Sequence, residues 1–431
     1  MNLMEVFILV LSFLVLLAIG VPIAWSIGLS SIFTMLVSIP AVPAFTTIAQ
    51  RMATGLDSFS LLAIPFFILA GQMMNRGGIA RRLIDFAKTL VGALPGGLAY
   101  VNIIAAMLFG AISGSAVAAA SALGSMLGKR MEDEGFSKEM AAAINVTSST
   151  TGLVIPPSNV LIVYSLASGG VSVAALFLAG YLPGILTGLF LMAVAGMWAK
   201  KNKMAVGERS SFKQILKTFL DALPSLFLLV IVIGGIVAGV FTATEASAVA
   251  VLYCLILTFW YKEISWKALP ELFRDSVSTT AIVMLLIGTS MSMSWIMAYE
   301  NIPQDITQIL LSISENKFVI LVIINLILLF VGIFMDMTPA VLIFTPIFLP
   351  VVTELGMDPT HFGIMMVLNL CIGLCTPPVG SVLFVGVGVA GTSIQKVVRP
   401  LLPYFIAMIV ALLLVTYIPG LSLWLPSLFG L

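Results

Sequence analysis

The sequence predicts an all-α polytopic membrane protein built as an inverted repeat, with two re-entrant helical hairpins and two broken helices. Three observations carry that prediction. The 431 residues are 60% hydrophobic and 9% charged, with a mean hydropathy of +1.17, whereas a water-soluble domain carries about 25% charged residues. Four long apolar runs are interrupted near their centres by polar or proline-rich residues. Those interruptions recur at one fixed offset along the chain.

At ~20 apolar residues per span the chain has room for roughly a dozen passes. The run 5–38 is too long for a signal-peptide core, has no small-residue cleavage site after a basic start, and reads as one retained span. The later runs are 59–75, 97–128, 138–168, 172–198, 222–240, 246–261, 277–298, 318–353, 360–390 and 400–428. Of these, 97–128 is split at Ser113-Gly114-Ser115, 138–168 at Ile155-Pro156-Pro157, 318–353 at Asp336-Met337-Thr338-Pro339, and 360–390 at Thr376-Pro377-Pro378. Lipid offers the backbone no hydrogen-bond partner, so irregular chain at that depth must be buried in protein or line a watery cavity. The breaks therefore mark a site or a pathway.

Net charge is +1, so no overall field points to nucleic acid, and distribution matters more than the sum. Lys and Arg of short loops favour the cytoplasmic side. Two clusters, Arg76 to Lys138 and Lys200 to Lys217 with Arg209 among them, are both cytoplasmic only if 97–128 enters and leaves on one side. Continuing the count, 299–317, with Glu300, Asp305, Glu315 and Lys317, is an outer loop, and 318–353 starts and ends outside. Only Arg51 and Lys317 of the 20 basic residues then lie outside, and the N-terminus is cytoplasmic.

Gly152-Leu153 before Pro156-Pro157 matches Gly373-Leu374 before Pro377-Pro378, a shift of 221 positions (373 less 152). The same shift carries Gly135 onto Gly356, Gly170 onto Gly391 and Ser172 onto Ser393. Register kept over about forty residues argues for duplication. Because one hairpin opens inward and the other outward, the halves have opposite topology. Inverted repeats whose discontinuous helices meet near the midplane are the architecture of secondary transporters.

The breaks supply the chemistry. Ser113 and Ser115 stand at the first tip, facing a polar run from Asn145 through Thr147-Ser148-Ser149-Thr150-Thr151 to Pro156, Pro157, Ser158 and Asn159. Hydroxyls, an amide and freed carbonyls are hard oxygen ligands suited to an alkali cation, leaving helix N-termini for an anion. Ser, Thr and Gly also serve close packing of membrane helices, yet their gathering at paired breaks favours function. The second half offers Asp336 and Thr338 at its tip, then Thr376, Pro377, Pro378 and Ser381. A carboxylate at depth costs roughly 2.5–3.5 kcal/mol on insertion scales and usually faces a pathway or partner. Asp336 could balance a sodium ion or carry a proton; a tip near the surface would instead hydrate it.

Other residues read structurally. Glu245 after Thr242 looks like a helix cap. Arg81, Arg82, Asp85 and Lys88 share one side of a short interfacial helix whose Leu83, Phe86 and Leu90 can face lipid. His361 is a solvated helix-end histidine by default, and Cys254, Cys371 and Cys375 lie in apolar runs, against a disulfide framework or a structural metal. Trp260, Trp266 and Trp424 fit an interfacial belt. There is no Walker loop for ATP. A protease would need an activated nucleophile beside a base, which one histidine at a helix end does not provide, so no enzyme is expected. A channel would conduct without coupling.

Leu62-Ala63-Ile64-Pro65-Phe66-Phe67-Ile68-Leu69-Ala70-Gly71, Phe109 to Ser115, Ile155-Pro156-Pro157-Ser158, Thr242-Ala243-Thr244-Glu245-Ala246, and Met366 to Leu370 running into Thr376-Pro377-Pro378-Val379-Gly380 together resemble the large membrane subunit of tripartite ATP-independent periplasmic (TRAP) transporters. The resemblance covers nearly the whole chain, and is nearest to the sialic-acid branch. It implies a fold like that of the divalent anion/sodium symporters and an elevator motion in the bacterial inner membrane. It also implies Na+-driven uptake of an organic acid anion, with Na+ as coupling ion and no other cofactor. The implied partners are a periplasmic substrate-binding protein and a small four-helix membrane subunit, expected as a separate polypeptide. Scaffold helices and an arm helix are then expected over 1–96, transport repeats over 97–171 and 318–395, further scaffold and a cytoplasmic connector over 172–317, and a C-terminal helix over 396–431.

Carried onto this sequence and joined to the hydroxyls at the breaks, the implied cation-binding set is Ser113, Ser115, Asn145, Pro156, Asp336, Thr338 and Thr376. The substrate-binding set is Ser115, Ser148, Thr150, Pro157, Asp336, Pro377 and Ser381. The run Asn145 to Thr151 is richer in hydroxyls than in many relatives, which suits a polyhydroxylated acid better than a C4-dicarboxylate.

Overall fold

The computed structural model describes residues 3–207, 210–314 and 316–431; Arg209 and Glu315, counted above, lie outside the described residues. The described chain is helical from end to end. In order, the helices are α1 (Leu3–Ala18), α2 (Ile23–Ser38), α3 (Ala41–Leu56), α4 (Ala63–Arg76), α5 (Ile79–Val91), α6 (Gly97–Ser113), α7 (Ala116–Asp133), α8 (Lys138–Thr151), α9 (Asn159–Ala167) and α10 (Val173–Lys201). There follow α11 (Phe212–Val237), α12 (Ala243–Trp260), α13 (Leu269–Tyr299), α14 (Ile302–Ile313), α15 (Lys317–Phe334), α16 (Met337–Glu354), α17 (Pro359–Leu374), α18 (Ser381–Ala390), α19 (Ile394–Tyr417) and α20 (Gly420–Leu428). Eight of the described helical segments are long and apolar enough to cross a membrane.

Each sequence break is a helix boundary. The first hairpin turns between α6 and α7 at Gly114, whose φ of +62° favours a residue without a Cβ. Ser115 then caps α7, its hydroxyl accepting the Ala118 N–H at 3.2 Å. The breaks α8/α9 and α17/α18 each hold a cis Pro-Pro bond, Pro156-Pro157 and Pro377-Pro378. Thr242 and Glu245 form a reciprocal capping box on α12, the structural role expected of that glutamate.

The two halves pack in matching ways. α6 and α7 hold α8 as α15 and α16 hold α17, and each second hairpin helix rests on the other half's broken helix, α7 on α18 and α16 on α9. Glycines make the closest approaches: a Cβ on Gly110 would meet Gly152 Cα at 2.7 Å, and one on Gly373 would meet Gly332 Cα at 2.6 Å. Buried amides repeat too. Ser148 donates to Asn102 Oδ1 at 3.1 Å, and Asn369, 221 positions on (369 less 148), donates to Asn325 Oδ1 at 2.7 Å.

Several expectations are corrected. Run 5–38 is two helices folded on each other, because Gly20 (φ +85°) and Pro22 end one and begin the next. Ser38 donates to Glu5, which also hydrogen-bonds Glu300 beyond the end of α13, while Arg76 pairs with Glu271 and Asp275 near the start of α13. Glu5, near the start of α1, therefore lies at the end of the molecule away from Arg76. The loops 39–58 and 299–317 contain the amphipathic helices α3 and α14, which continuous apolar runs could not reveal. α14 precedes the second hairpin as α5 precedes the first. The C-terminal run is two helices, α19 and α20.

α10 and α19, placed among the scaffold and the tail, pack on each other and on the opposite broken helices, α17 and α8. α4 packs chiefly on α12 and α13, and α13 on α2 and α3. Leu83 is buried, not lipid-facing, while Leu90 is exposed. His361 is buried at 1% exposure, with Nε2 3.3 Å from the Thr416 carbonyl, because α19 covers the start of α17.

Candidate functional site

Both hairpin tips and both breaks converge. Ser115, Leu153, Asp336, Met337, Thr338 and Leu374 bound a cavity of about 80 Å³. Beside it a cavity of about 270 Å³ is walled on one side by Ser113, Gly114, Ser115, Asn159, Asp336 and Thr338. Its opposite wall comes from α4 and α13. Asn159 lies so close over the first tip that a Cβ on Gly114 would stand 2.6 Å from its Nδ2. The second break is tied to its hairpin by the Gly380 N–H, which donates to the Ile333 carbonyl at 3.1 Å.

Four helices, α7, α9, α16 and α18, begin at this junction, with Ser115, Ser158, Asp336 and Gly380 at their N-caps. Helix N-termini present free N–H groups and a positive dipole end to an anion. Asp336, exposed to the larger cavity, supplies the negative charge and hard oxygens that a sodium ion needs, with the Ser115 and Thr338 hydroxyls beside it. The pair of cavities thus has the parts for a cation next to an anion.

Of the expected residues, Ser113, Ser115, Asp336 and Thr338 are brought together here. Pro156 and Pro157 are buried within the first break, and Pro377 and Ser381 flank the second, where the Ser381 hydroxyl has no hydrogen-bond partner among the described residues. Thr376 donates to the Ile372 carbonyl at 2.7 Å. The polar run of α8 lines neither cavity. Asn145 donates to the Ala120 carbonyl at 2.7 Å, and Thr147, Ser149, Thr150 and Thr151 donate to carbonyls of their own helix. Ser148 is spent on Asn102. Buried and satisfied, these hydroxyls lend no support to a polyhydroxylated substrate in this arrangement. Cys371 and Cys375 cross-link the halves through hydrogen bonds, to the Thr150 carbonyl at 3.3 Å and the Val146 carbonyl at 3.4 Å.

Sequence reasoning missed the residues of the far wall, Gln72 and Asn75 on α4 and Thr279 on α13. Two amides one turn apart at the end of an apolar run were the available signal.

The family model for the tripartite ATP-independent periplasmic transporter, DctM component, matches residues 10–421. The chain belongs to that family. It is 59% identical to uncharacterized protein YgiK of Salmonella typhimurium, over 97% of this chain and 96% of that one. It is 38% identical to the C4-dicarboxylate TRAP transporter large permease protein DctM of Rhodobacter capsulatus, over 96% of each. It is 40% identical to the sialic acid TRAP transporter large permease protein SiaM of Vibrio cholerae, over 88% and 89%. The solved structure of Neisseria gonorrhoeae MtrF, from a class of antimetabolite efflux pumps, superposes with a TM-score of 0.62 at 11% identity, over 87% of this chain and 84% of that one. That likeness concerns the fold alone. As a DctM-type chain this is a permease component of a membrane transporter and not an enzyme.

Proposed function

We propose that this permease takes up an organic acid anion across the bacterial inner membrane, driven by sodium. N-acetylneuraminate is the first candidate and a C4-dicarboxylate the second. The observation that carries the proposal is the meeting of four helix N-termini and one carboxylate, Asp336, at the two hairpin tips, beside a cavity whose other wall belongs to a different helix group. The tips are re-entrant, and the anion's carboxylate binds the helix N-termini while sodium binds near Asp336, Ser115 and Thr338.

Coupling follows from linkage: sodium that fixes a tip raises substrate affinity, and substrate raises sodium affinity by the same factor. The group α6–α10 with α15–α19 moves as an elevator against α4 and α11–α13. A periplasmic binding protein delivers the acid from outside, and a separate small membrane subunit braces the non-moving group. Relatives named for sialic acid and for C4-dicarboxylates are about equally similar, so the choice of acid rests on the cavity. Apart from Asp336, its polar lining is neutral amides and hydroxyls, which suits a hydroxylated acid.

The test is uptake of labelled N-acetylneuraminate and succinate into proteoliposomes holding this chain, its small subunit and the cognate binding protein, with and without an inward sodium gradient. Uptake of one acid only with sodium and all components supports the reading. Uptake indifferent to sodium at fixed pH but following a proton gradient moves the coupling to Asp336 as proton carrier.

A further inference from the structure

Gln72 and Asn75 lie at i and i+3 on α4, so both amides face one way. Both line the 270 Å³ cavity across from Ser115, Asn159 and Asp336. Neither side chain has a hydrogen-bond partner among the described residues. An amide left unsatisfied inside a membrane protein is costly, and polar groups at that depth characteristically face a solute pathway. Here the cavity is the place where water or a solute satisfies them.

Their position along the molecule is also informative. Arg76, the next residue, is held to the first turns of α13 by Asp275 and Glu271. Thr279, one turn beyond Asp275, and Asn75 are both exposed, so the cavity is reached from the Arg76 end. Toward the opposite end Leu61 and Ile64 are buried. The hairpin tips thus stand opposite that end of α4, in a state open to the side that the basic clusters mark as cytoplasmic.

We infer that Gln72 and Asn75 are substrate-contacting residues supplied by the non-moving wall, that they select an acid bearing hydroxyl or amide groups, and that they hold it only in this state. The inference rests on the transport reading above. A carboxamide offers both a donor and an acceptor, which matches a hydroxyl or an acylamino group, whereas a carboxylate uses the donor alone. The acid's carboxylate is served by helix N-termini of the hairpin group and travels with it. The amides of α4, packed on α12 and α13, stay behind. They therefore act on affinity at the inner face and leave recognition at the outer face untouched.

The experiment measures equilibrium binding of labelled N-acetylneuraminate, gluconate and succinate to the purified full chain in sodium, for the wild type and for Gln72→Ala, Asn75→Ala and the double variant. External KM for uptake in the complete proteoliposome system is read alongside, and thermal unfolding checks folding. The double variant should weaken binding of a hydroxylated acid about tenfold or more, since a site built to hydrogen-bond a hydroxyl loses most when a partner is removed. Succinate binding and external KM should stay within about twofold. Unchanged affinity for the hydroxylated acids, equal loss for succinate, or a wild type that binds only succinate overturns the inference while leaving sodium-driven transport standing. A wild type that binds none of the acids in sodium overturns the transport reading, and this inference with it. If Gln72→Ala unfolds the chain, Gln72→Asn, which keeps the amide but draws it back by one methylene, should show the same selective loss in smaller degree.

Discussion

Gly110→Ala tests how the first hairpin is held at its break. The new Cβ would stand 2.7 Å from Gly152 Cα, where ordinary contact begins at 3.4 Å, so the two helices must part by about 0.7 Å (3.4 less 2.7). The opposing atom is backbone and cannot rotate away, which puts the strain in the upper half of the ~1–3 kcal/mol typical of overpacking. Alanine's better helix propensity returns up to ~1 kcal/mol. The net loss is about 1–2 kcal/mol, a factor of roughly 5–30 in the population of the tip position that completes the site. Gly373→Ala, at 2.6 Å from Gly332 Cα, should behave alike, and Gly332→Ala, at 3.1 Å from Gly373 Cα, should lose less. Gly234→Ala on α11 meets nothing within 4 Å and should be neutral or slightly stabilising. Sodium-driven uptake in proteoliposomes and thermal unfolding in detergent, measured on all four variants, give the ranking. Equal behaviour of Gly110→Ala and Gly234→Ala, or a reversed order of Gly373 and Gly332, would refute the close-approach argument.

Three further outcomes are expected. Asp336→Asn and Ser115→Ala should each lower sodium-driven uptake about tenfold or more, the scale of a lost charged hydrogen bond of ~1.5–3 kcal/mol, while the protein still inserts and purifies; normal uptake in either variant removes that residue from the site. Asn369→Leu strips Asn325 of a buried partner and should destabilise by about 1–2 kcal/mol, at the upper end for polar contacts in membrane proteins, as read by thermal unfolding. Desolvation first, and then the neighbouring Glu5 carboxyl, push Glu300 up from 4.5 to about 7. A carboxyl raised in the folded state binds more protons there than unfolded, so its contribution to stability falls as pH rises from about 4.5 through about 7. Glu300→Gln should therefore unfold at a higher temperature than wild type above pH 7, with the difference vanishing below pH 4.5; a difference independent of pH would count against the carboxyl pair.

The splits at Ser113-Gly114-Ser115, Pro156-Pro157, Asp336 and Pro377-Pro378 were legible because proline and glycine act on the backbone where they stand. Composition alone made the chain a membrane protein, and the constant offset of 221 revealed the duplication because matched breaks need matched residues. Amphipathic α3 and α14 were not legible as apolar runs, since their polar faces interrupt the hydropathy, and the fold-back at Gly20 was masked by apolar residues on both sides.

Which polar groups reach the cavities was decided by packing. Asp336 and Ser115 can be picked from sequence because a tip must expose its cap, but the hydroxyls of Thr147 to Thr151 look equally available until α8 is seen buried between α6, α7 and α19 with each hydroxyl turned onto a nearby acceptor. Gln72 and Asn75 lie about 260 residues from the second tip they face, a separation that no local pattern spans. Sequence by itself determined the solvent this protein folds in, its duplicated plan and where its helices break, because those follow from local backbone chemistry and residue counts. Only the tertiary structure decided which side chains share the cavity and which end carries the start of α1, because burial and orientation are properties of neighbouring helices rather than of any one segment.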